Sequence, residues 1–294
     1  MTLMMDSNKR FRIAQLTDMH LTNFPFDQND VQILHDVKKA VEHIEPDLIM
    51  ITGDFVNSYN NENELEIVTA FFEFLNEFDI PKAITYGNHD TEHKLTRNDL
   101  EQLFNTLVSN KVSRVHEKMV DDRTQYVVEI NSSEGSLARV LYVMDTGHVA
   151  PGEDKTNDWI LREQVEWFRE SCSQYKSLKN NLLFIHIPIP EYLLAKKNIL
   201  SGALLEPNQL ISTSRINTGL FSELFFSQQI YGVFCGHNHL NNAEMLWEDI
   251  HLFYGMFSGK EEKAGDFRGV RYIDLGIEGN TVSSDCVFFN DLVV

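Results

Sequence analysis

The chain reads as α/β, with two packed sheets and helices outside. Three observations predict this. Apolar runs alternate with amphipathic segments over the first ninety residues, strand-like runs dominate the remainder, and hydrophobic residues make up 43% of 294, enough for a substantial core. RIAQL (12–16) is a short apolar strand, after which Val31, Leu34, Val37, Val41 and Ile44 fall at helical spacing. DLIMI (47–51) lacks alternation, as a strand buried on both faces does. Leu65, Val68, Phe71, Phe72, Leu75 and Phe78 mark a second amphipathic helix, and KAITY (82–86) a third strand. This βαβαβ order predicts three parallel neighbouring strands with right-handed crossovers. A third helix is expected at 98–108. Strands follow at 125–130, 137–145, 181–187, 230–235, 243–247, 250–254, 269–275 and 282–289. A helix at 158–175 interrupts them, with Asn157 or Asp158 as its cap. No repeat or linker divides the sequence, so one domain is expected over residues 1–294.

Charge narrows the function classes. Lys and Arg number 25 against 44 Asp and Glu, a formal charge of −19. Such a surface disfavours non-specific binding to nucleic acid or membrane, which needs basic patches. Cys172, Cys235 and Cys286 are far apart and in no metal-binding spacing, as in a reducing compartment. No apolar run reaches signal-peptide or transmembrane length. The expected location is cytoplasmic.

Five short motifs stand at the ends of apolar runs. They are Asp18-Met19-His20, Gly53-Asp54, Gly87-Asn88-His89-Asp90, His186 within IHIP, and Gly236-His237-Asn238-His239. As metal ligands they supply two carboxylates, one amide oxygen and four imidazoles, with a fifth imidazole, His89, left over. Mixed oxygen and nitrogen ligands without thiolate suit a pair of divalent metals, and two adjacent metals are a standard device for hydrolysing phosphate esters. Ligands of parallel sheets collect at the carboxyl ends of strands, which turns the first three motifs into one site. Asp18 and His20 are two residues apart, so in extended backbone they point to one side, and so do His237 and His239. Asp54 can use both carboxylate oxygens and is the natural bridge. Gly53, Gly87 and Gly236 precede ligands, where a missing side chain permits sharp turns or close approach.

DMH, GDF, GNHD, an isolated histidine and GHNH, in that order, resemble the calcineurin-like metallophosphoesterase superfamily. DTG (145–147), the WILREQVEWF helix and HIPIPEY resemble its small branch related to purple acid phosphatases. Purple acid phosphatases carry a tyrosine three residues after the GD aspartate, where this chain has Asn57, and lack the histidine present here as His20. The iron-tyrosinate chromophore is therefore not expected.

The resemblance implies a four-layer α/β/β/α sandwich of two mixed sheets flanked by helices. It implies one metal held by Asp18, His20, Asp54 and His239, and a second by Asp54, Asn88, His186 and His237. Manganese or iron is expected, with zinc or nickel also compatible. The substrate is a phosphate ester, attacked by hydroxide generated at the metals, with His89 as general acid and Asp90 expected to hold its other ring nitrogen. A cyclic-nucleotide or other phosphodiesterase is the rival enzyme, and a catalytically silent interaction module the rival of another class. The irregular stretch 188–220 is expected to overhang the metals. His148, three residues past Asp145, is a candidate substrate contact. Asn57 either supports a ligand or shapes its loop.

Overall fold

The computed structural model describes residues 1–6, 8, 10–150, 156–276 and 281–292. Its first half runs β1 (Leu3–Met4), β2 (Arg10–Leu16), α1 (Gln28–Ile44), β3 (Leu48–Thr52), α2 (Glu64–Leu75), β4 (Lys82–Thr85) and α3 (Arg97–Leu107). There follow β5 (Val115–Val120), β6 (Arg123–Asn131), β7 (Leu137–Met144), α4 (Arg162–Cys172), β8 (Asn181–Phe184), α5 (Glu191–Ala195) and β9 (Ile199–Ser201). The last elements are α6 (Leu220–Ser227), β10 (Ile230–Cys235), β11 (Glu244–Trp247), β12 (Ile250–Tyr254), β13 (Gly269–Gly276) and β14 (Val282–Phe288).

Alternation along single strands builds the layers, because successive side chains of a strand point to opposite faces. In β3, Ile49 and Ile51 join Val37, Val41, Val68 and Phe72 of the first two helices. Leu48 and Met50 face the other way and meet Leu182 and Phe184 of β8. On β8, Leu183 turns outward again to pack with Trp167 and Phe168 of α4 and Leu224 of α6. Three apolar layers therefore separate four structural ones: helices, sheet, sheet, helices. Both sheets are mixed. One runs β14-β13-β2-β3-β4, with β2–β3 and β3–β4 parallel as expected and β13 antiparallel to β2. The other runs β1-β6-β7-β8-β10-β12-β11-β9 with β5 beside β6; β7, β8, β10 and β12 are mutually parallel neighbours.

Local chemistry explains where elements start. Asp27 caps α1 by accepting from the Asn29 and Asp30 amides, and Thr96 and Asp99 form a reciprocal capping box on α3. The expected cap of the 158–175 helix is corrected. α4 begins only at Arg162, where the Gln164 side chain accepts from the Leu161 amide. Asp158 is engaged instead by Arg123. Stretch 188–220 is more regular than expected, containing α5 and β9. β5 lies at 115–120, where no strand is expected; it is an edge strand with most of its residues exposed and lacks a legible apolar pattern. Among the described residues no helix is long and apolar enough to cross a membrane.

Candidate metal centre

The site lies where the carboxyl ends of strands from both sheets meet. Asp18 and His20 follow β2, Asp54 follows β3, and Asn88 opens a single 3-10 turn (Asn88–Thr91) after β4. His186 follows β8, and His237 and His239 follow β10. Two groups result, Asp18 with His20 and His239, and Asp54 with His186 and His237. In each, candidate ligand atoms lie within 4.8 Å of one another. Asp54 reaches both groups, since its Oδ2 is 3.0 Å from His186 Nε2 and 3.7 Å from His20 Nε2. Asn88 Oδ1 lies 3.2 Å from His186 Nε2, and His239 Nε2 lies 3.6 Å from Asp18 Oδ1. All seven expected ligand residues thus converge.

Their backbone is not extended, which corrects the reason given for the pairing of Asp18 with His20 and of His237 with His239. Asp18 (φ 57°), His20 (φ 51°), Asp54 (φ 52°) and His237 (φ 74°) occupy the left-handed region, which costs such residues roughly 1–3 kcal/mol each. Main-chain hydrogen bonds hold the turns in place: the Asp18 amide donates to Gly53 O (3.0 Å) and the His20 amide to Asp54 O (2.9 Å). Glycine is required at two of these positions. A Cβ on Gly53, itself at φ 88°, would lie 2.4 Å from the Gly87 nitrogen, and one on Gly87 would lie 2.1 Å from Asp54 Oδ1.

The donor set fits divalent cations. Asp54 Oδ2 is buried without an aligned hydrogen-bond donor, although His186 Nε2 is only 3.0 Å away. A buried orphan costs roughly 1–3 kcal/mol, which a cation would remove. His186 Nδ1 is bonded to Thr52 O (2.8 Å) and His239 Nδ1 lies 2.8 Å from Glu261 Oε1. Engaging Nδ1 leaves Nε2 to ligate, the usual outer-shell arrangement of metal-bound histidines. His20 Nε2 and His239 Nε2 face each other at 3.0 Å. Burial holds His20 and His237 down at about 3, so both are neutral, the form that ligates. Burial opposes charge on His186 too, but Asp54 and Asp18 outweigh it and raise that ring to about 9. The carboxylates thus favour positive charge here, whether as protons or as metal ions.

Polar contacts join the two sheets beneath this centre. Buried Gln15 of β2 donates to Thr52 Oγ1 (2.9 Å) and to Cys235 O (3.1 Å) of β10. The His237 amide lies 3.0 Å from both carboxylate oxygens of Asp18.

His89 stands beside the ligands, its ring 5.1 Å from that of His20. The expected pairing with Asp90 is corrected. Asp90 accepts the backbone amides of Gly87 (2.7 Å), Asp54 (2.9 Å) and Val56 (3.2 Å), so it braces two motif turns. His89 Nδ1 is instead bonded to Glu92 Oε2. Residues i and i+3 eclipse on a 3-10 turn, whereas i+1 points away; this spacing is the signal that could have identified Glu92. Burial disfavours the charged ring, but Glu92 and Asp54 outweigh it and raise His89 to about 9.

Glu261 and Asn157 border the site without a motif to mark them, and Asn238 does so from within GHNH. Glu261 approaches His239, as above. Asn238 Oδ1 accepts from Tyr254 (3.0 Å) and from the Ser212 amide (3.1 Å), tying stretch 188–220 to GHNH. Asn157 Nδ2 reaches His237 Nε2 at 3.1 Å. His148 shares a loop with Asn157, and its carbonyl accepts from the Asp158 amide at 3.2 Å. Asn57 shapes its loop through the backbone, with its amide donating to Leu21 O.

With this geometry, the family can be stated. The chain belongs to the calcineurin-like phosphoesterase family, whose model matches residues 11–241. It is 27% identical over 284 residues to "Probable inactive purple acid phosphatase 29" of Arabidopsis thaliana, covering 84% of this chain and 72% of that one. It is also 27% identical over 316 residues to "Phosphatase DCR2" of Saccharomyces cerevisiae, covering 93% and 53%. A dimetal phosphatase from Danio rerio has the same fold, with a TM-score of 0.64 at 11% identity over 95% of this chain and 99% of that one.

Proposed function

We propose that residues 1–294 form one domain that hydrolyses phosphate esters with two divalent metal ions. The convergence of two three-residue groups on the shared carboxylate of Asp54 carries this reading. Asp18, His20, Asp54 and His239 would hold one ion; Asp54, Asn88, His186 and His237 the other. Such ions, when bound, lower the pKa of water and draw charge from phosphoryl oxygens. His89 donates a proton to the leaving oxygen, Glu92 holds its Nδ1, and Asp90 fixes the turn that presents it. Ions on Asp54 would cancel that residue's share in raising His89, leaving Glu92 as the partner that keeps the acid protonated. Manganese or iron is the expected metal and the cytoplasm the expected location.

A relative named as inactive does not decide the matter for this chain, in which all seven residues proposed as ligands are present in the sequence. The test is hydrolysis of p-nitrophenyl phosphate against bis(p-nitrophenyl) phosphate with added manganese, alongside elemental analysis. Two metals per chain and turnover of the monoester are expected. A preference for the bis ester would make it a diesterase. Metal-loaded protein inert to both would support the non-catalytic reading.

A further inference from the structure

One loop, the one leaving β3, grips His89 by its main chain at both ends. The His89 amide donates to Asp54 Oδ1 (2.7 Å). Its carbonyl accepts from Ser58 twice, from the amide (3.0 Å) and from the hydroxyl (2.7 Å). Ser58 Oγ also accepts from the Glu92 amide at 2.6 Å. A single fully buried serine thus holds the main chain of both members of the His89–Glu92 pair.

This arrangement departs from what the turn would do unaided. Asn88–Thr91 is a 3-10 turn, whose rule joins each carbonyl to the amide three residues on. Continued by one residue, that rule would send the Glu92 amide to the His89 carbonyl. The Ser58 hydroxyl stands between these two groups instead, accepting from one and donating to the other, as an inserted water does where it opens a helical turn. A hydroxyl both donates and accepts, which a bridge between a carbonyl and an amide needs. The spacing of the two main chains, and with it the contact of Glu92 Oε2 with His89 Nδ1, is therefore set from outside the turn. Ser58 is itself fixed on its other side. Val56 bridges Leu21, and the Asn57 amide donates to Leu21 O (2.9 Å). The Asn61 amide donates to Ser58 O (3.0 Å), while the Asn61 side chain donates to Thr22 O (2.8 Å) and Asn57 O (3.1 Å). The loop leaving β3 is braced on the loop leaving β2, and Ser58 carries that fixed reference to the His89–Glu92 pair.

We infer that Ser58 is a positioning residue for proton donation, its hydroxyl holding the His89–Glu92 pair at the spacing in which Glu92 orients the His89 ring toward the leaving oxygen. This rests on the reading of His89 as the general acid of a phosphoesterase. The manganese-loaded protein is assayed on phenyl phosphate, whose leaving group is poor, and on p-nitrophenyl phosphate, whose leaving group is good. The readout is the ratio of the two kcat values in one sample, from which any loss of folded protein cancels. Ser58→Ala is expected to keep both metals and to lower the phenyl to p-nitrophenyl ratio roughly ten- to hundredfold, since displacing a catalytic group by about 1 Å costs on that scale. Ser58→Cys, whose thiol bonds weakly, should give a smaller drop of the same kind, and it carries the test if the alanine variant does not fold. In a His89→Ala background, Ser58→Ala should leave the ratio where His89→Ala alone puts it, because a residue acting through another does not add to its loss. Equal losses on both esters, a further drop of the ratio in the His89→Ala background, or loss of a metal from Ser58→Ala each overturn the assignment. If His89→Ala lowers the ratio and Ser58→Ala does not, the acid reading stands and this inference alone falls. If His89→Ala leaves the ratio unchanged, or the metal-loaded wild type hydrolyses neither ester, the acid reading fails and takes this inference with it.

Discussion

The two sheets contribute to the centre in different ways. From the five-stranded sheet come Asp18, His20, Asp54 and Asn88, placed by main-chain bonds among neighbouring turns and by Asp90, which gathers three backbone amides. From the nine-stranded sheet come His186, His237 and His239. Two of these meet side chains from distant loops, Asn157 and Glu261. The first half is a backbone construction, rigid and recorded in short motifs. The second is a side-chain construction, whose supports lie tens of residues from the ligands they orient. Substitutions in the two halves should therefore differ in kind.

The largest effect is expected at the residue common to both. Asp54→Ala should lose metal and activity together for every ester, as elemental analysis and turnover would show; a variant keeping two ions would remove Asp54 as the bridge. His89→Ala comes next. Metal content should hold while turnover falls by about two to four orders of magnitude for esters with poor leaving groups. p-Nitrophenyl phosphate, whose leaving group needs little protonation, should suffer less. Indifference to leaving-group pKa would strip His89 of its role.

Glu261→Gln probes the side-chain half. Weakening the outer-shell partner of His239 should lower manganese affinity about 10- to 100-fold while the fold melts normally, and metal titration reads this directly. The smallest effect is expected for Glu92→Gln. Because Glu92 raises His89, its removal lowers that pKa, so the protonated acid is lost at lower pH. The alkaline limb of the kcat/KM profile should move down in pH, with about a tenfold loss on its upper side. Asp90→Asn should leave that limb in place and act on thermal stability instead. An equal shift from both variants would restore Asp90 as the partner of His89.

The same division governs what could be read from residues alone. β2, β3 and β4 were legible because each is a compact apolar run ending in a motif, and the residues proposed as ligands were read from the order of those motifs. The route by which they converge was not, since left-handed turns at Asp18, His20 and Asp54 leave no periodic trace. Asp90 looked like a partner for His89 by adjacency, but a 3-10 turn aligns Glu92 with that ring instead. The expected start of the 158–175 helix failed for a tertiary reason, because Arg123 from another strand claims Asp158. Asn157 and Glu261 carry no motif; their importance arises only once loops distant in sequence are folded together.

The cross-sheet contacts of Gln15 and of the His237 amide lie directly beneath residues that would share metal ions. Ligands drawn from both sheets, as proposed, would make metal occupancy and cohesion of the seam a single linked equilibrium. Each ion bound only by the folded chain would add about 1.4 kcal/mol of stability for every tenfold rise in free metal above its dissociation constant. The melting temperature of this protein would then be a titration curve for its metals, and a chelator would act on it as a mild denaturant whose target is the joint between the sheets.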